Sequence, residues 1–448
     1  MNALANRELL GPQELESLVQ QALEEARRLG VDQAEVAASH DIGLSVTARL
    51  GDVENLEYTN DRGIAVTVYC DLCKGSASTS DISSAAICEA VSKARAFAQY
   101  TARDQHAGLA DADAMCTDVL DLHLDHPWTI DAGAAIELAV ACEKSALDFD
   151  KRIKNSEGAT VSSNRGVRTY GNTHGFIGSF AQTSHSISCA VIGEADGDMQ
   201  RDYYYSAARD STELEPVEKI GAQAGRRAVE RLGARKVKTT RAPVLFTAEI
   251  ARGFIGHAIG AITGGAQYQR ASFLLDAVDE QIFPNFVRIE ERPHIPKAMA
   301  STPYDAEGIA TYDRDIVTDG ILQGYILSSY SARRLGLKTT ANAGGAQNLV
   351  VPGNADNFES LIREMGTGLI VEELIGHGVN GVTGDYSRGV VGHWVENGEI
   401  CYPVHEVTIA GNLRDLYRRI TAIGNDQDLR GGIRCGSLLV DDMTIAGS

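Results

Sequence analysis

The chain has 448 residues, enough for two or three domains with a sizeable core. Charged residues make up 23% and the hydrophobic set 44%, an ordinary globular composition. The formal net charge of -20 argues against a general binder of nucleic acid or anionic membrane, because neutralising phosphate needs a basic patch.

No apolar run approaches the ~20 residues of a membrane helix. The opening MNALANRELLGPQELESL is acidic and lacks the apolar core of a secretion signal, so cytoplasmic residence is the default expectation. Eight dispersed cysteines fit reduced thiols better than a disulfide frame. Cys70 and Cys73 form a CxxC inside a strand pattern, with no second pair, which reads as structure rather than as a zinc or redox motif.

Residues 12–29 predict an amphipathic helix, with Leu15, Leu18, Val19, Ala22 and Ala26 on one face and Gly30 as its stop. Residues 34–39, 43–60 and 62–79 read as strands, divided by turn signals at 41–43 and 60–63. A helix follows over 81–101, capped by Ser80 or Asp81, then an Asp-rich connection and a helix over 130–150. Residues 154–207 are strand-like and Gly-punctuated, and 214–232 is a charged helix. The basic connector 234–240 marks the main boundary.

Residues 241–265, RAPVLFTAEIARGFIGHAIGAITGG, predict a strand running into a helix over 248–263. Ile250, Phe254, Ala258 and Ile262 share one face of it. Gly253, Gly256, Gly260 and Gly264 form a smooth ribbon, at ~1 kcal/mol each in a helix interior, which implies close packing of a backbone or of a ligand-cavity wall. His257 sits within this ribbon, where a hydrogen-bonded buried histidine is the structural reading. Strands are expected over 299–308, 309–319 and 321–330, with a turn at Asp319-Gly320, then a short helix over 331–336. A helix near 358–366, a strand over 368–374 and a hairpin over 384–413 turning at Asn397-Gly398 come next. A helix over 412–421 and a strand over 433–439 end the chain. The class is α+β: an N-terminal α/β layer domain (1–235) with a mainly antiparallel sheet, and a strand-rich C-terminal domain (236–448) around a central Gly-rich helix. No internal repeat of short fixed period is visible.

The chain resembles the PmbA/TldD family, also named modulators of DNA gyrase, and within it the PmbA (TldE) branch. The carrying stretches are EMGTGLIVEELIGHGVNGVTGDYSRGVVGHWVENGEICYPVHEVTIAGNL (364–413), STPYDAEGIATYDRDIVTDGILQGYILSSYSARRLGLKTTANAGG (301–345) and RCGSLLVDDMTIAG (434–447). The resemblance implies cytoplasmic peptide degradation by a heteromeric metallopeptidase that trims unfolded peptides in a closed cavity, with a peptide-antibiotic precursor and an antitoxin among the substrates. In the TldD branch an H-E-x-x-x-H helix and a later cysteine hold zinc, and the glutamate deprotonates the water. Laid on this chain, the second histidine is His257, the first is Arg252, the glutamate is Gly253 and the cysteine is Cys435. Residual ligand positions are therefore His257 and Cys435, with no catalytic base. Histidines five apart on an ideal helix point ~140° from each other, so such a pair needs a local distortion. A guanidinium at the first position repels a metal ion.

The reading is of a PmbA-type subunit without zinc, completing the cavity of a TldD-type paralogue that supplies the metal; a homodimer is the other assembly. The alternatives are a chain that is itself a zinc peptidase, and a non-enzymatic partner of gyrase. Arg252, His257, Asp385, Tyr386, Arg388 and Cys435 are the substrate-cavity candidates. Tyr386, Ser387 and Arg388 read as a Gly-flanked turn capped by Asp385, either plain turn structure or a rim for extended peptide. Other patterns read as structure first: Glu372, Glu373 and His377 as a displaced metal motif, Cys401 with His405 as a nucleophile pair on one strand face, and His393 with His405 as cross-strand neighbours.

Overall fold

The computed structural model describes residues 9–447. Residues 1–8 of the acidic opening lie outside that range. The N-terminal half holds α1 (Pro12–Arg28), β1 (Gln33–Arg49), β2 (Asp52–Cys70), β3 (Cys73–Thr79) and α2 (Ser84–Ala98). After a long connection come α3 (Ala132–Leu147), β4 (Ile153–Asn172), β5 (Ile177–Ala195), β6 (Asp198–Ala208) and α4 (Val217–Glu230). These are two αβββα units. Their strands form one antiparallel sheet in the order β3-β2-β1-β4-β5-β6, so the units meet at β1 and β4 across a pseudo-two-fold. Ala34, Val36 and Ala38 of β1 pack under α1 and α2, whereas Leu44, Val46 and Ala48 pack under α3 and α4. All six positions are even, so all four helices cover the same face.

The helix pairs approach closely. A Cβ built on Gly221 of α4 would lie 2.1 Å from the Cys142 carbonyl oxygen of α3. Gly221→Ala is therefore expected to lower stability by about 1–3 kcal/mol, because backbone cannot yield as a side chain can. A denaturant midpoint unchanged from the parent chain would refute this.

The hairpins differ from the expectation for β1–β3. Residues 41–43 and 60–63 are not turns. They pair with each other across β1 and β2, His40 opposite Arg62 and Gly43 opposite Thr59. Gly43 is there because β4 comes close: its Cβ would sit 2.2 Å from Asn164 Oδ1. The true turns are Leu50-Gly51 and Asp71-Leu72, with φ of 52°, 83°, 52° and 65°. Cys70 and Cys73 face each other across the second turn as free thiols. The α2 cap is Ser83, which accepts from the Ala86 amide, rather than Ser80 or Asp81.

The C-terminal half opens with β7 (Thr240–Phe246), α5 (Ala248–Ala261) and α6 (Gly264–Tyr268). It continues through β8 (Ile289–Glu291), β9 (Arg314–Thr318), β10 (Ile321–Leu322), α7 (Ser329–Leu335), β11 (Leu349–Val351) and α8 (Phe358–Met365). Last come β12 (Gly368–Ile375), β13 (Asp385–Glu396), β14 (Glu399–Asn412), α9 (Leu413–Arg418), β15 (Ile420–Ile423), β16 (Ile433–Cys435) and β17 (Leu438–Ala446). β7, β12, β13, β14 and β17 pair in sequence, and β14 also pairs with β17, which closes a five-stranded barrel. Val244 and Phe246 enter the core shared with α5, while Leu245 between them packs with the core of α8. A second sheet, β10-β9-β8-β11-β16, flanks α5. The fold is α+β, as the sequence indicates. The expected strands over 299–308 and 321–330 are mostly irregular. Their backbone groups bond to loops, as when the Asp305 and Ala306 amides donate to the Ile309 and Ala343 carbonyls.

Candidate functional site

Helix α5 links the two halves. Its first amide, Ala248 N, donates to Ser437 Oγ at 3.0 Å, and Ser437 Oγ donates to Asp426 at 2.6 Å. An anion thus already sits where the helix dipole favours one. α5 is a regular α-helix without a π-bulge. Arg252 and His257 accordingly leave it in different directions. Arg252 Nη2 donates to the Tyr205 hydroxyl of β6 at 3.0 Å, and Nη1 lies 3.3 Å from Asp428 Oδ2. His257 turns instead to β13, edge-on to the Tyr386 ring at 6.1 Å. The glycine ribbon is less crowded than its composition implies. A Cβ at Gly253 or Gly260 would meet nothing within 4 Å, and at Gly256 only Ile433 Cδ1 at 3.6 Å; Gly264 alone is tightly packed, by Ser331. The ribbon therefore borders open space.

Around Arg252 the charges interlock. Arg430 grips Asp428 with Nε at 2.9 Å and Nη2 at 3.1 Å, lies over the Tyr205 ring at 4.2 Å and reaches Glu249 at 3.4 Å. Glu249 also pairs with Arg227 of α4 at 3.0 Å. Burial alone would raise the Asp428 carboxyl, but Arg430 and Arg252 hold it below the usual carboxylate range. A cavity of about 830 Å³ opens beside this cluster, between β6, α4 and the first turn of α5.

His257 is half-buried between the Tyr386 ring and the Arg388 charge. Tyr386 is buried, and its hydroxyl has no partner among the described residues. Burial, and then the Arg388 charge, keep His257 below the ordinary histidine pKa. No hydrogen bond to its ring occurs among the described residues, so it is not the hydrogen-bonded core histidine of the sequence reading. Tyr386, Ser387 and Arg388 are strand rather than turn: they pair with Gly411, Ala410 and Ile409 of β14. Alternation puts Tyr386 and Arg388 on the α5 side and Asp385 on the other, where it accepts from Thr383 Oγ1 at 2.7 Å. Cys435, on β16 beside α5, is fully buried, and burial with Asp426 nearby pushes its thiol up to about 12.

As they stand, these residues do not fit a zinc ion. The first ligand position is a guanidinium tied to an aspartate, and it diverges from His257. Among the described residues, no three His, Cys, Asp or Glu side chains gather in metal-holding geometry.

The other patterns separate. Glu372 and Glu373 lie in β12 with different partners, and His377 is exposed in the loop beyond. His393 stands opposite Pro403, not His405. Register breaks on both sides of residues 402–404 interrupt the Cys401–His405 alternation, and Cys401 is exposed rather than core. Sequence reasoning missed two polar contacts of β12. His393 Nδ1 meets Glu372 at 3.1 Å, and Arg231 after α4 bridges Asp202 of β6 at 2.6 Å and Glu373. The partners lie 21 and 142 positions apart, beyond any local spacing signal.

The His393 pair makes a pH-dependent contribution. Burial opposes charge on His393, but the Glu372 hydrogen bond overrides it and raises the pKa. Its stabilisation is thus complete below the ordinary histidine pKa and is lost as pH rises through the folded value. In Glu372→Gln burial is opposed only by the Glu230 contact, so the His393 midpoint should fall below that of the parent chain. Ring-proton NMR titration reads this directly, and an unmoved midpoint would contradict it.

Three family models match the chain: PmbA/TldA metallopeptidase domain 1 over residues 34–98, the central domain over 125–232 and the C-terminal domain over 239–447. The Metalloprotease PmbA of Escherichia coli O157:H7 is 49% identical over 433 residues, covering 97% of this chain and 96% of its own. A Metalloprotease PmbA homolog of Haemophilus influenzae is 46% identical, covering 97% of each. Among solved structures, a Bacteroides thetaiotaomicron protein described as a candidate modulator of DNA gyrase superposes with a TM-score of 0.92 at 27% identity, covering 97% of this chain and 99% of its own. TldE from Thermococcus kodakarensis superposes with a TM-score of 0.83 at 17% identity, covering 96% and 100%, and bears on the fold alone.

Proposed function

Because this chain belongs to the PmbA/TldD metallopeptidase family, we propose that it acts in peptide degradation as the subunit that shapes the substrate cavity, while a TldD-type paralogue supplies zinc and base. The observation that carries this reading is the locked Arg252. A residue held by Asp428 and Tyr205 at the place of a metal ligand serves to fix a wall, and Gly253 leaves the neighbouring place empty. The space beside Gly253 and Gly260 and the 830 Å³ cavity give an extended peptide room next to α5. On this reading the chain resides in the cytoplasm, and its substrates are unfolded segments, including peptide-antibiotic precursors and antitoxins; folded domains are excluded by size.

Elemental analysis of the chain purified without chelator tests the proposal. Zinc far below one per chain, with co-purification of a TldD-type paralogue, is the expected result. Stoichiometric zinc in the isolated chain, together with cleavage abolished by His257→Ala, would replace it with the reading in which this chain is the peptidase.

A further inference from the structure

We propose that the open edge of β2 is a docking strand for an extended basic segment of unfolded peptide, and that the cavity beside it seats one aromatic side chain of that segment. The inference rests on the peptide-handling reading only for the source of the segment. β2 has 19 residues and β3 has seven. Pairing with β3 begins at Ile64, so residues 52–63 bond to β1 alone among the described residues. The second αβββα unit covers more of the equivalent edge, although the start of β5 (177–182) is also without an outer strand among the described residues. There β6 pairs along β5 from His185 to Ala195, and beyond it the Thr183 amide donates to the Leu124 carbonyl at 2.9 Å. Among the described residues no backbone bond of that kind lies against the outer edge of 52–63.

The edge carries an apolar row where sheet edges usually carry guards. Val53, Leu56 and Tyr58 are 46%, 41% and 45% exposed. Leu56 and Tyr58 stand opposite Val46 and Leu44, on the helix-covered face, so the row continues the core under α3 into solvent. An added strand would extend the sheet and cover that row in one step. Charge selects its chemistry. Residues 52–62 carry four carboxylates, Asp52, Glu54, Glu57 and Asp61, against the single guanidinium of Arg62. A second copy would bring the same acids against these; a lysine- or arginine-bearing strand would be attracted.

Tyr58 and Asn60 belong both to this edge and to the wall of a cavity of about 380 Å³, with Leu44, Trp128 and His185 behind them. Trp128 meets His185 edge-on at 5.5 Å. His185 is completely buried. Its Nε2 donates to the His126 carbonyl at 2.9 Å, which leaves Nδ1 an acceptor with no donor among the described residues. A buried acceptor without a donor is unfavourable. Burial also keeps the ring neutral, so Nδ1 does not satisfy itself by taking a proton. An aromatic side chain is the group that fills an aromatic-walled cavity, and the tryptophan or tyrosine polar edge suits one that also holds asparagine and serine.

The test uses the whole chain alone and a fluorescein-labelled probe, Lys-Val-Lys-Trp-Lys-Val-Lys-Val-Lys, followed by anisotropy. Saturable binding is expected. It should weaken at least about tenfold when alternate backbone nitrogens of the probe are methylated, again when its Trp is replaced by Ala, and again with the Glu57→Lys protein. Trp128→Ala should abolish the preference for the Trp probe over the Ala probe. If that variant does not fold, the probe-side changes decide by themselves. No binding, or binding indifferent to N-methylation and to the Trp, overturns the proposal; sensitivity to charge alone does so too. No paralogue or cleavage enters the assay, so its failure leaves the peptidase reading intact, and a failure of that reading leaves this result intact.

Discussion

Arg231→Ala is expected to cost about 3–5 kcal/mol of stability, the range for removing one partner of a buried ion pair. The Arg231 and Asp202 side chains are 7% and 4% exposed, and among the described residues no other cation lies within ion-pair distance of Asp202. The loss arises from the carboxylate left behind rather than from the pair itself. Asp202 already shows the strain: burial raises its carboxyl to about 6, against 3.8 ordinarily, even with Arg231 pulling it down. A carboxyl raised on folding holds its proton more tightly in the native state. Its contribution to stability therefore falls as pH rises from about 4 to about 6. Without Arg231 the pKa rises further, so the variant should regain part of its loss on acidification from pH 8 to pH 5. Arg231 also reaches Glu373 in the barrel, so hydrogen exchange should quicken in both β6 and β12. A loss under ~1 kcal/mol, or one insensitive to pH, would mean that the two halves are held together elsewhere.

The sequence is readable where structure is local. Asn397-Gly398 turns β13 into β14 with φ of 53° and 76°, and Asp319-Gly320 does the same for β9 and β10. α1 buries Leu15, Val19, Ala22 and Ala26, as their spacing indicates. Reading fails where glycine answers to a neighbouring strand. Gly43 and Gly166 look like breakers, but they make room for Asn164 and Asp41 across the sheet. The converse holds at Asp71-Leu72, a tight turn that lacks the glycine usual at its second position. The αβββα duplication leaves no sequence period, because each unit needs only its alternation and helix faces preserved.

At the site, motif matching located α5, Arg252, His257 and Cys435 but not their partners. Asp428, Arg430 and Tyr205 arrive from a loop and from the other half of the chain, and their contacts to α5 exist only in three dimensions. The regular helix explains why Arg252 and His257 part company: five residues at ~100° each leave them ~140° apart, and Gly253 and Gly256 stay helical although they could relax. Position-by-position transfer thus identified the residues that changed and gave no account of what each became.

On the proposed reading, mixing this chain with the TldD-type paralogue should give the largest change of all. A positioned general base contributes ~10²–10⁴ in rate, so the isolated chain, with Gly253 in that place, should cleave an unfolded test peptide at least that much more slowly than the mixture. The loss of metal-activated water adds to this deficit. Cleavage should follow zinc in the paralogue and vanish with its removal. Within the mixture, Gly253→Glu in this chain should change the rate little. Its side chain would have room, but on this chain it would have no metal-bound water to act upon. Arg252→Ala should raise KM more than it lowers kcat. It frees Asp428 and the Tyr205 hydroxyl, loosening a cavity wall while leaving the reacting groups on the other subunit. Equal rates for the isolated chain and the mixture would end the cavity-subunit reading and send the search for a third ligand back to the surroundings of His257.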